Sequence, residues 1–233
     1  MSSNFFILTK SDDIITDVTT FSEKKVYILP YNNFNCYIRN GLFENSLINW
    51  CAQFCNSSGV FLDIGAHSGT YTVSLAKYCK EVYSFEPQKQ TYYSLCGSVA
   101  LSNLKNVTCL QYGLGSETQR GKQTLHIVSH DGGGSTLHLG TTVELSQESI
   151  EIKTLDDFAI DNVCFIKMDV ENNEYFLLLG AHETLKRNNY PRILFEVNDN
   201  ENNYKDEIFT LLDSYGYSIA NITGYSNMFL ASI

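Results

Sequence analysis

Two predicted strands, Val60–Ile64 and Val82–Phe85, are joined by a glycine-bearing turn and a helix, and this unit constrains the fold more than any other part of the chain. Gly65 and Gly69 allow the backbone to turn tightly after the first strand and to approach a ligand closely. The second strand is followed by Glu86, whose carboxylate can accept hydrogen bonds from two neighbouring ribose hydroxyls. The unit therefore predicts an α/β domain with a nucleoside-binding site at the carboxyl ends of its strands.

The glycine spacing indicates which kind of nucleoside ligand this site holds. A dinucleotide site has three glycines in the pattern G-x-G-x-x-G, whereas this turn has only Gly65 and Gly69, four positions apart. Asp63 precedes them; an acid is poorly placed there beside phosphates, but it can serve a ligand with an amine and a sulfonium, such as S-adenosylmethionine (SAM). The alternative is an ordinary strand-turn-helix in which Asp63 caps the helix, and the position of Glu86 weighs against it.

Length and charge limit the number of domains and the range of partners. The chain has 233 residues, of which 43% are hydrophobic, and this suffices for one substantial core. We expect a small cap over residues 1–58 and a main domain over residues 59–233. The formal net charge of −10 disfavours nucleic acid as a partner. No apolar run approaches the roughly 20 residues that span a bilayer, and no signal-peptide pattern is present, so we expect a cytoplasmic protein without a membrane partner.

The order of elements indicates a parallel sheet with helices on both faces, because apolar strands alternate with amphipathic helices after residue 58. Two last strands are expected to complete this sheet as a hairpin. The predicted cap elements are strands at Phe5–Thr9, Val26–Tyr31 and Cys36–Arg39 and a helix at Phe43–Phe54. The further predicted elements of the main domain are a helix at Thr70–Tyr78 and strands at Val107–Gln111, Cys164–Met168, Ile193–Val197, Tyr217–Ile222 and Met228–Ile233.

One segment, residues 115–149, interrupts this alternation and is expected to be rich in loops. It contains the consecutive glycines Gly132–Gly134, which allow mobility and close backbone approach. The segment either closes over a bound substrate or forms a solvent-exposed hairpin tip. His130 and His138 flank the glycines and are alternative candidate bases, although histidines in such loops are more often surface residues.

A second polar group lies at the ends of the fourth and fifth strands of the main domain. Lys167 and Asp169 are two positions apart, so both side chains are expected on one side of the strand at its carboxyl end. The fifth strand adds Glu196, followed by Asn198 and Asp199. Carboxylates crowded in this way need a cation, a bound substrate or a shared proton. Helix capping by Asp169 and Asn198 is the alternative interpretation.

Taken in order, these motifs resemble the FkbM family of SAM-dependent methyltransferases. The matching segments are LDIGAHSGTYT, VYSFEP, SNLKNV, TLDDF, FIKMDVENNEYFLLLGAHETL and ILFEV. Together they extend over about residues 59 to 197. Several of these motifs are weak individually, but their ordered combination is specific.

The resemblance implies a class I methyltransferase fold, which is a Rossmann-like, doubly wound and mostly parallel sheet. It also implies methyl transfer from SAM to a hydroxyl oxygen, often on a sugar or a sugar-bearing metabolite. Asp63, Gly65 and Gly69 then match the residues that bind the methionine side of the cofactor. Glu86 matches the ribose-binding acid, and Pro87 completes the same EP pair.

Two residues depart from the family pattern. His67 stands in the cofactor turn where the family usually has Asn, and its imidazole still offers a hydrogen-bond donor and an acceptor. Asn172 stands where the family usually has Gly. If that position requires a left-handed backbone, Asn is the least costly replacement, so the turn can survive.

The strand-end residues lead to a hypothesis for catalysis. Asp169, Lys167 and Glu196 surround the acceptor; a carboxylate takes the acceptor proton or holds a divalent cation, and Lys167 stabilises the developing oxyanion. Asp169, Glu196, Asn198 and Asp199 carry oxygen ligands that Mg²⁺ or Ca²⁺ accepts. We slightly prefer metal-free catalysis.

Two functions from other classes remain alternatives to methylation of a sugar, glycan or small hydroxylated metabolite. One is methylation of nucleic-acid ribose, in which Lys167 and Asp169 would take part and which the acidic charge disfavours. The other is SAM binding without catalysis. A homodimer is possible, but no amphipathic zipper pattern indicates one.

Overall fold

The computed structural model of the protein describes residues 5–10, 25–30, 33–197 and 204–233. The strands in these ranges are β1 (Phe5–Lys10), β2 (Lys25–Pro30), β3 (Val60–Ile64), β4 (Glu81–Phe85), β5 (Val107–Leu110), β6 (Gly113–Leu114), β7 (Gly121–Ile127), β8 (Ser146–Lys153), β9 (Val163–Met168), β10 (Arg192–Glu196), β11 (Ser218–Asn221) and β12 (Met228–Ser232). The α-helices are α1 (Phe34–Asn40), α2 (Asn45–Cys51), α3 (Thr70–Leu75), α4 (Lys89–Leu101), α5 (Glu174–Leu179), α6 (His182–Arg187) and α7 (Lys205–Ser214). None of the helices in the described ranges is long and apolar enough to cross a membrane.

Seven strands form the central sheet, in the order β11-β12-β10-β9-β3-β4-β5. Strands β10, β9, β3, β4 and β5 run parallel to one another. Strand β12 runs antiparallel to both β10 and β11. The predicted doubly wound sheet with a carboxyl-terminal hairpin is therefore confirmed. The strand order reverses between β3 and β9, and ligands of such folds bind in the crevice outside the carboxyl ends of the strands at this point.

Apolar side chains on both faces of the central strands account for the burial of the sheet. All five residues of β3 are buried. On one face, Phe61 of β3 stacks on Phe165 of β9 with ring centroids 5.4 Å apart, and helices α2 and α3 cover this pair. On the other face, Leu62 and Ile166 pack beneath helices α5, α6 and α7. Strands buried on both faces need nearly continuous apolar runs, which is why the sequence reveals them.

The amino-terminal strands form a separate layer and do not extend the central sheet. β1 and β2 pair antiparallel as a two-stranded sheet. β2 lies against α4, where Val26 N donates to Ser102 Oγ at 2.8 Å and Ile28 N donates to Ser98 Oγ at 2.9 Å. Serine hydroxyls of a helix thus satisfy backbone donors of a strand, which lets the strand lie directly on the helix.

The strand predicted at Cys36–Arg39 is wrong, because these residues belong to helix α1. Tyr37 is buried and Ile38 is 59% exposed, so the apolar residues of this segment do not form a strand face. Gly41 ends the helix with φ +76° and donates its N–H to Tyr37 O at 2.9 Å. The helix predicted at Phe43–Phe54 is present as α2 followed by a short 3₁₀ turn.

The segment over residues 115–149 contains a strand that was not predicted. β7 and β8 pair antiparallel, and β6 joins β8 in parallel, so that a second sheet of three strands forms. Leu125 and Ile127 of β7 are buried while Thr124 is exposed, which is the alternation of a half-buried strand. The loop-like parts of the segment are residues 115–120, which include a short 3₁₀ turn, and residues 128–145.

Candidate active site

A cavity of about 270 Å³ lies at the carboxyl ends of β3, β4 and β9. Its walls come from the turn after β3, the residues after β4 and β9, the amino-terminal helices, the second sheet and the segment between β7 and β8. The predicted site residues that line it are Gly65, His67, Glu86, Pro87, Lys167 and Asp169. Asp63, Gly69 and Glu196 lie outside this lining. The structure therefore brings both predicted groups of residues to one cavity.

The turn after β3 is held by backbone contacts to both neighbouring strands. Gly65 N and Ala66 N donate to Phe85 O at 3.0 and 2.9 Å, and Asp169 N donates to Ile64 O at 3.1 Å. Gly65 has φ +74°, and a Cβ atom at this position would lie 1.7 Å from Asp169 O. Only glycine satisfies both the left-handed backbone and the close approach of the two chain segments.

Asp63 lies behind this turn and is fully buried. Its Oδ2 accepts hydrogen bonds from Thr72 N at 2.9 Å and Thr72 Oγ1 at 2.5 Å, so it caps helix α3. Its Oδ1 has no hydrogen-bond partner among the described residues and lies 4.0 Å from Lys167 Nζ. Burial raises the pKa of Asp63, and the charge of Lys167 opposes this rise. Asp63 therefore caps helix α3, as the alternative interpretation of the sequence proposed. Direct contact between Asp63 and a cofactor stays a prediction.

Glu86 lines the cavity at the end of β4 and is held by protein donors. Its Oε2 accepts from His67 N at 2.8 Å, and its Oε1 accepts from Gln88 N at 2.9 Å and Thr91 Oγ1 at 2.8 Å. Burial raises the pKa of Glu86, although the neighbouring His67 and these hydrogen bonds oppose the rise. A carboxylate has about four lone-pair sites, so these three donors leave one acceptor position of Glu86, and its contact with a ribose stays a prediction.

His67 connects the cofactor turn to the segment between β7 and β8. Its backbone is left-handed, with φ +51°. Its Nε2 donates to Asp131 O at 2.6 Å, so in the neutral ring Nδ1 accepts from Ser68 Oγ at 2.9 Å. Both functions of the imidazole are therefore used within the protein. No local motif indicates this role, because Asp131 is 64 residues away from His67.

The segment between β7 and β8 lies over the cavity. Gly134 N donates to Glu171 Oε1 at 2.9 Å, and Thr136 Oγ1 donates to Glu171 O at 2.7 Å. Ser135 Oγ donates to Gln88 Oε1 at 3.0 Å. These contacts place the segment over the site and not in a solvent-exposed hairpin tip, which was the other predicted alternative.

Neither candidate histidine of this segment lines the cavity. His130 is exposed. His138 Nε2 lies 3.0 Å from Asn173 Oδ1, and the imidazole stacks on Phe176 with ring centroids 5.5 Å apart. The positions of both side chains argue against a role as catalytic base.

Lys167 is the buried cation at the centre of the site, with 4% of its surface exposed. Its Nζ donates to Gly65 O at 2.7 Å and lies 3.2 Å from Asp169 Oδ2. Burial lowers the pKa of Lys167, but the charges of Asp169, Asp63 and Glu44 outweigh burial and raise it above its usual value. The lysine therefore stays charged and fixes both the cofactor turn and the carboxylate of Asp169.

Glu196 stands behind Asp169 and outside the cavity lining. Burial raises the pKa of Glu196 to about 9, and the charges of Asp169 and Glu171 add to this effect. The side-chain contact with Asp169 contributes to this rise. The Oε1 atom of Glu196 accepts a hydrogen bond from the side chain of Asn227. Two acids in contact favour a shared proton, so Glu196 and Asp169 are expected to titrate as a pair.

The ligand chemistry for a divalent cation is weak in this site. The described residues contain no group of three or more His, Cys, Asp or Glu side chains that could hold a metal ion. Asn198 and Asp199, which were considered as metal ligands, lie outside the described residues.

The corner after β9 holds two acids that sequence reasoning missed, the half-buried Glu171 and the buried Glu174. Glu171 and Asn172 have φ values of +53° and +73°, so the condition under which Asn is the least costly replacement for Gly at position 172 is met. Burial raises the pKa of Glu171 to about 7, and the charge of Asp169 adds to the effect. Burial likewise raises the pKa of Glu174 to about 8, although its Oε1 accepts from Val170 N at 2.8 Å. A KxDVExxE pattern gives no sign of which acids keep a proton.

Glu174 is expected to make the protein less stable as pH rises. In the unfolded chain its pKa is near 4.5, whereas in the folded protein it is about 8, so the folded state binds more protons between these values and loses stability across them. At roughly 1.4 kcal/mol per pKa unit, the loss is on the order of a few kcal/mol. Glu174→Gln cannot ionise and keeps an acceptor for Val170 N. Unfolding free energies in urea at pH 5 and pH 9 should therefore differ less in this variant.

The matched control for this measurement is Glu183→Gln, because Glu183 is an exposed acid on α6. This control should keep the pH dependence of the wild type. Glu171 and Glu196 also have raised pKa values, so some dependence should remain in Glu174→Gln. Identical slopes for Glu174→Gln and the wild type would contradict the prediction.

Solved structures share this fold at low sequence identity. SMU.1697c from Streptococcus mutans, described as a methyltransferase and solved in complex with S-adenosylhomocysteine (SAH), has a TM-score of 0.53 and 14% identity, covering 80% of this chain and 96% of that chain. An rRNA methylase from Streptococcus thermophilus has a TM-score of 0.50 and 14% identity, covering 80% and 92%. A precorrin 8w decarboxylase from Methanobacterium thermoautotrophicum has a TM-score of 0.51 and 14% identity, covering 81% and 88%. These similarities establish the class I methyltransferase fold.

Sequence comparison establishes the family. A search of curated proteins found no match. The model of the methyltransferase FkbM domain, however, matches residues 63–219, which is more than half of the chain. The matched range includes the cofactor turn, Glu86, Lys167 and Asp169, and the cavity joins these residues in space. The chain therefore belongs to the FkbM family of SAM-dependent methyltransferases.

Proposed function

We propose that this methyltransferase acts on a hydroxyl oxygen of a sugar, a glycan or a small hydroxylated metabolite. The observation that carries the proposal is one cavity with Glu86 at the end of β4 and the Lys167–Asp169 pair at the end of β9. Glu86 suits the ribose of the cofactor. The Lys167–Asp169 pair suits an acceptor whose proton is removed during attack.

The residues of the cavity fit SAM. Glu86 keeps an acceptor position for the ribose, and apolar walls from Leu114, Ile150 and Ile152 suit the adenine ring. Acidic side chains at the other end suit a sulfonium, which carries a positive charge. The bound cofactor supplies an electrophilic methyl carbon. The protein residues hold the acceptor oxygen in line with that carbon and exclude water.

We assign proton removal to Asp169, because it lines the cavity and is held from two sides. Lys167 Nζ lies 3.2 Å from Asp169 Oδ2, and the side chain of Glu196 contacts the same carboxylate. These contacts fix the orientation of Asp169 and compensate its charge. Lys167 keeps its own charge near the acceptor oxygen, where it stabilises negative charge that develops in the transition state. A divalent cation is not required for this chemistry.

The experiment that tests the proposal is a turnover screen that detects SAH. Free sugars, nucleotide sugars, glycans, RNA and small phenols are offered as acceptors, each with and without a chelator. Turnover of a hydroxylated sugar or metabolite that resists chelation would support the proposal. Turnover of RNA with a steep salt dependence would favour ribose methylation instead. Binding of SAM without turnover of any acceptor would favour a non-catalytic function.

Glu86→Gln is expected to weaken SAM binding about ten- to a hundredfold, because hydrogen bonds to a charged acceptor are lost. Calorimetric titration with SAM measures the change. Glu81→Gln is the matched control, since Glu81 begins the same strand and lies outside the cavity. Equal SAM affinity in Glu86→Gln and in this control would remove Glu86 from the cofactor site.

A further inference from the structure

The cavity has a wall that comes from outside the matched family domain. Asn33, Tyr37, Phe43 and Glu44 line it together with Lys167 and Asp169. The family domain covers only residues 63–219. The amino-terminal helices therefore contribute side chains to the same cavity as the reaction centre, and nothing in the cofactor chemistry accounts for them.

Glu44 is held in a defined position in this wall. It precedes helix α2 with a left-handed backbone, φ +56° and ψ +22°. Its Oε2 accepts a hydrogen bond from Tyr71 Oη at 2.8 Å, and Tyr71 also lies against Lys167, with Nζ 5.6 Å from the ring centroid. One carboxylate oxygen of Glu44 thus faces a fixed donor, and the other remains available to a ligand hydroxyl.

Phe43 places an apolar ring next to this carboxylate. Its side chain is 45% exposed, although it lines the cavity. It packs on the buried Tyr37 with ring centroids 4.8 Å apart and an angle of 59° between the rings. Phe43 therefore offers an apolar face to a ligand, and the adjacent carboxylate of Glu44 offers an acceptor for a ligand hydroxyl.

The charge of this wall restricts the acceptor further. Glu44 and Asp169 line it as acids, and Glu171, whose pKa burial raises to about 7, adds partial charge near neutral pH. Lys167 is already engaged by Gly65 O and Asp169. A phosphate or carboxylate on the acceptor would meet like charges here, whereas an uncharged group would not.

We infer that Tyr37, Phe43 and Glu44 form an acceptor subsite for an uncharged ring that carries hydroxyl groups. The apolar face of the ring packs on Phe43, and a hydroxyl next to the methylated one donates to Glu44. Tyr71 is a positioning residue, because it orients Glu44. The inference rests on the proposed function, since it defines where the hydroxylated acceptor binds.

The test measures SAH formation with four groups of acceptors: methyl hexosides, hexose 6-phosphates, uronic acids and simple phenols. Glu44→Gln and Phe43→Ala are compared with the wild type, and SAM affinity is measured separately by calorimetry. Each variant should raise the acceptor KM about ten- to a hundredfold without changing SAM affinity. Glu183→Gln and Tyr93→Ala are matched controls, because both residues are exposed outside the cavity.

Two further readouts separate a subsite from a general structural role. The wild type should have a higher kcat/KM for each methyl hexoside than for the corresponding 6-phosphate. Glu44→Gln should reduce this difference in kcat/KM, because it removes a negative charge from the cavity wall. Tyr71→Phe should raise the acceptor KM in the same direction as Glu44→Gln, with unchanged SAM affinity. Turnover of simple phenols alone would contradict the hydroxyl contact to Glu44, because a simple phenol has no second hydroxyl.

Other outcomes would overturn the inference. Wild-type turnover with an unchanged acceptor KM in Glu44→Gln and Phe43→Ala would contradict the subsite alone. Equal use of a hexoside and its phosphate would contradict the charge selection. Binding of SAM without turnover of any uncharged hydroxylated ring would contradict both the subsite and the proposed function.

Discussion

Gly65→Ala is expected to abolish SAM binding and to destabilise the protein. A Cβ atom at this position would lie 1.7 Å from Asp169 O and 2.8 Å from Asp169 C, and both atoms belong to backbone. The turn after β3 and the end of β9 would have to separate, and a displacement of about 1 Å in a positioned site can cost roughly a hundredfold in function. Gly65 also has a left-handed φ of +74°, which adds a backbone cost to this clash. The two costs together should lower the unfolding free energy by on the order of 3 kcal/mol or more.

The control for this variant is Gly224→Ala. Gly224 also has a left-handed backbone, with φ +89°, but an added Cβ would meet no described atom within 4 Å. This control therefore carries only the cost of the backbone conformation, and it should bind SAM as the wild type does. Calorimetric titration with SAM and chemical unfolding of both variants separate the two effects. Wild-type SAM affinity in a folded Gly65→Ala protein would show that this turn does not hold the cofactor.

The central sheet could be predicted because its determinants are local. The structure contains β3 at Val60–Ile64, with the bounds predicted from the sequence. A strand buried on both faces must be apolar along its whole length, and the glycine turn and Glu86 mark where the strands on either side of α3 end. The same reasoning placed Lys167 and Asp169 side by side, since residues two apart share one side of a strand.

Other elements could not be predicted because their patterns depend on what covers them. The residues of β7 alternate in burial because Leu125 and Ile127 pack with Leu137 in one apolar cluster, whereas Thr124 is exposed. The segment Cys36–Arg39 has strand-forming residues, but the chain turns helical there and buries Tyr37. In both cases tertiary contacts decide between conformations of similar local propensity.

Much of the site is assembled from residues that are distant in sequence. Glu44 meets Tyr71 over 27 residues, and His67 meets Asp131 over 64 residues. No local motif encodes such pairs. Glu196 was recognised as an acid at a strand end, but its raised pKa depends on burial and on the charges of its neighbours. The sequence therefore indicated which groups are present, and the fold decides which of them accepts a proton.

Asp169→Asn is expected to lower kcat by about 10²–10⁴-fold, because an amide cannot remove the acceptor proton. The substitution keeps the size of the side chain and an oxygen for Lys167, which lies 3.2 Å from Oδ2 in the wild type. SAM affinity should change little, since Glu86 and the turn at Gly65 remain intact. Steady-state assays of SAH formation and calorimetric titration with SAM measure the two effects separately.

The control for this variant is Asp161→Asn, because Asp161 is an exposed acid that pairs with Arg187 at 2.9 Å and does not line the cavity. It should keep wild-type turnover and SAM affinity. Loss of SAM binding together with turnover in Asp169→Asn would assign Asp169 a structural role beside Lys167. Wild-type turnover in a folded Asp169→Asn protein would exclude Asp169 as the base.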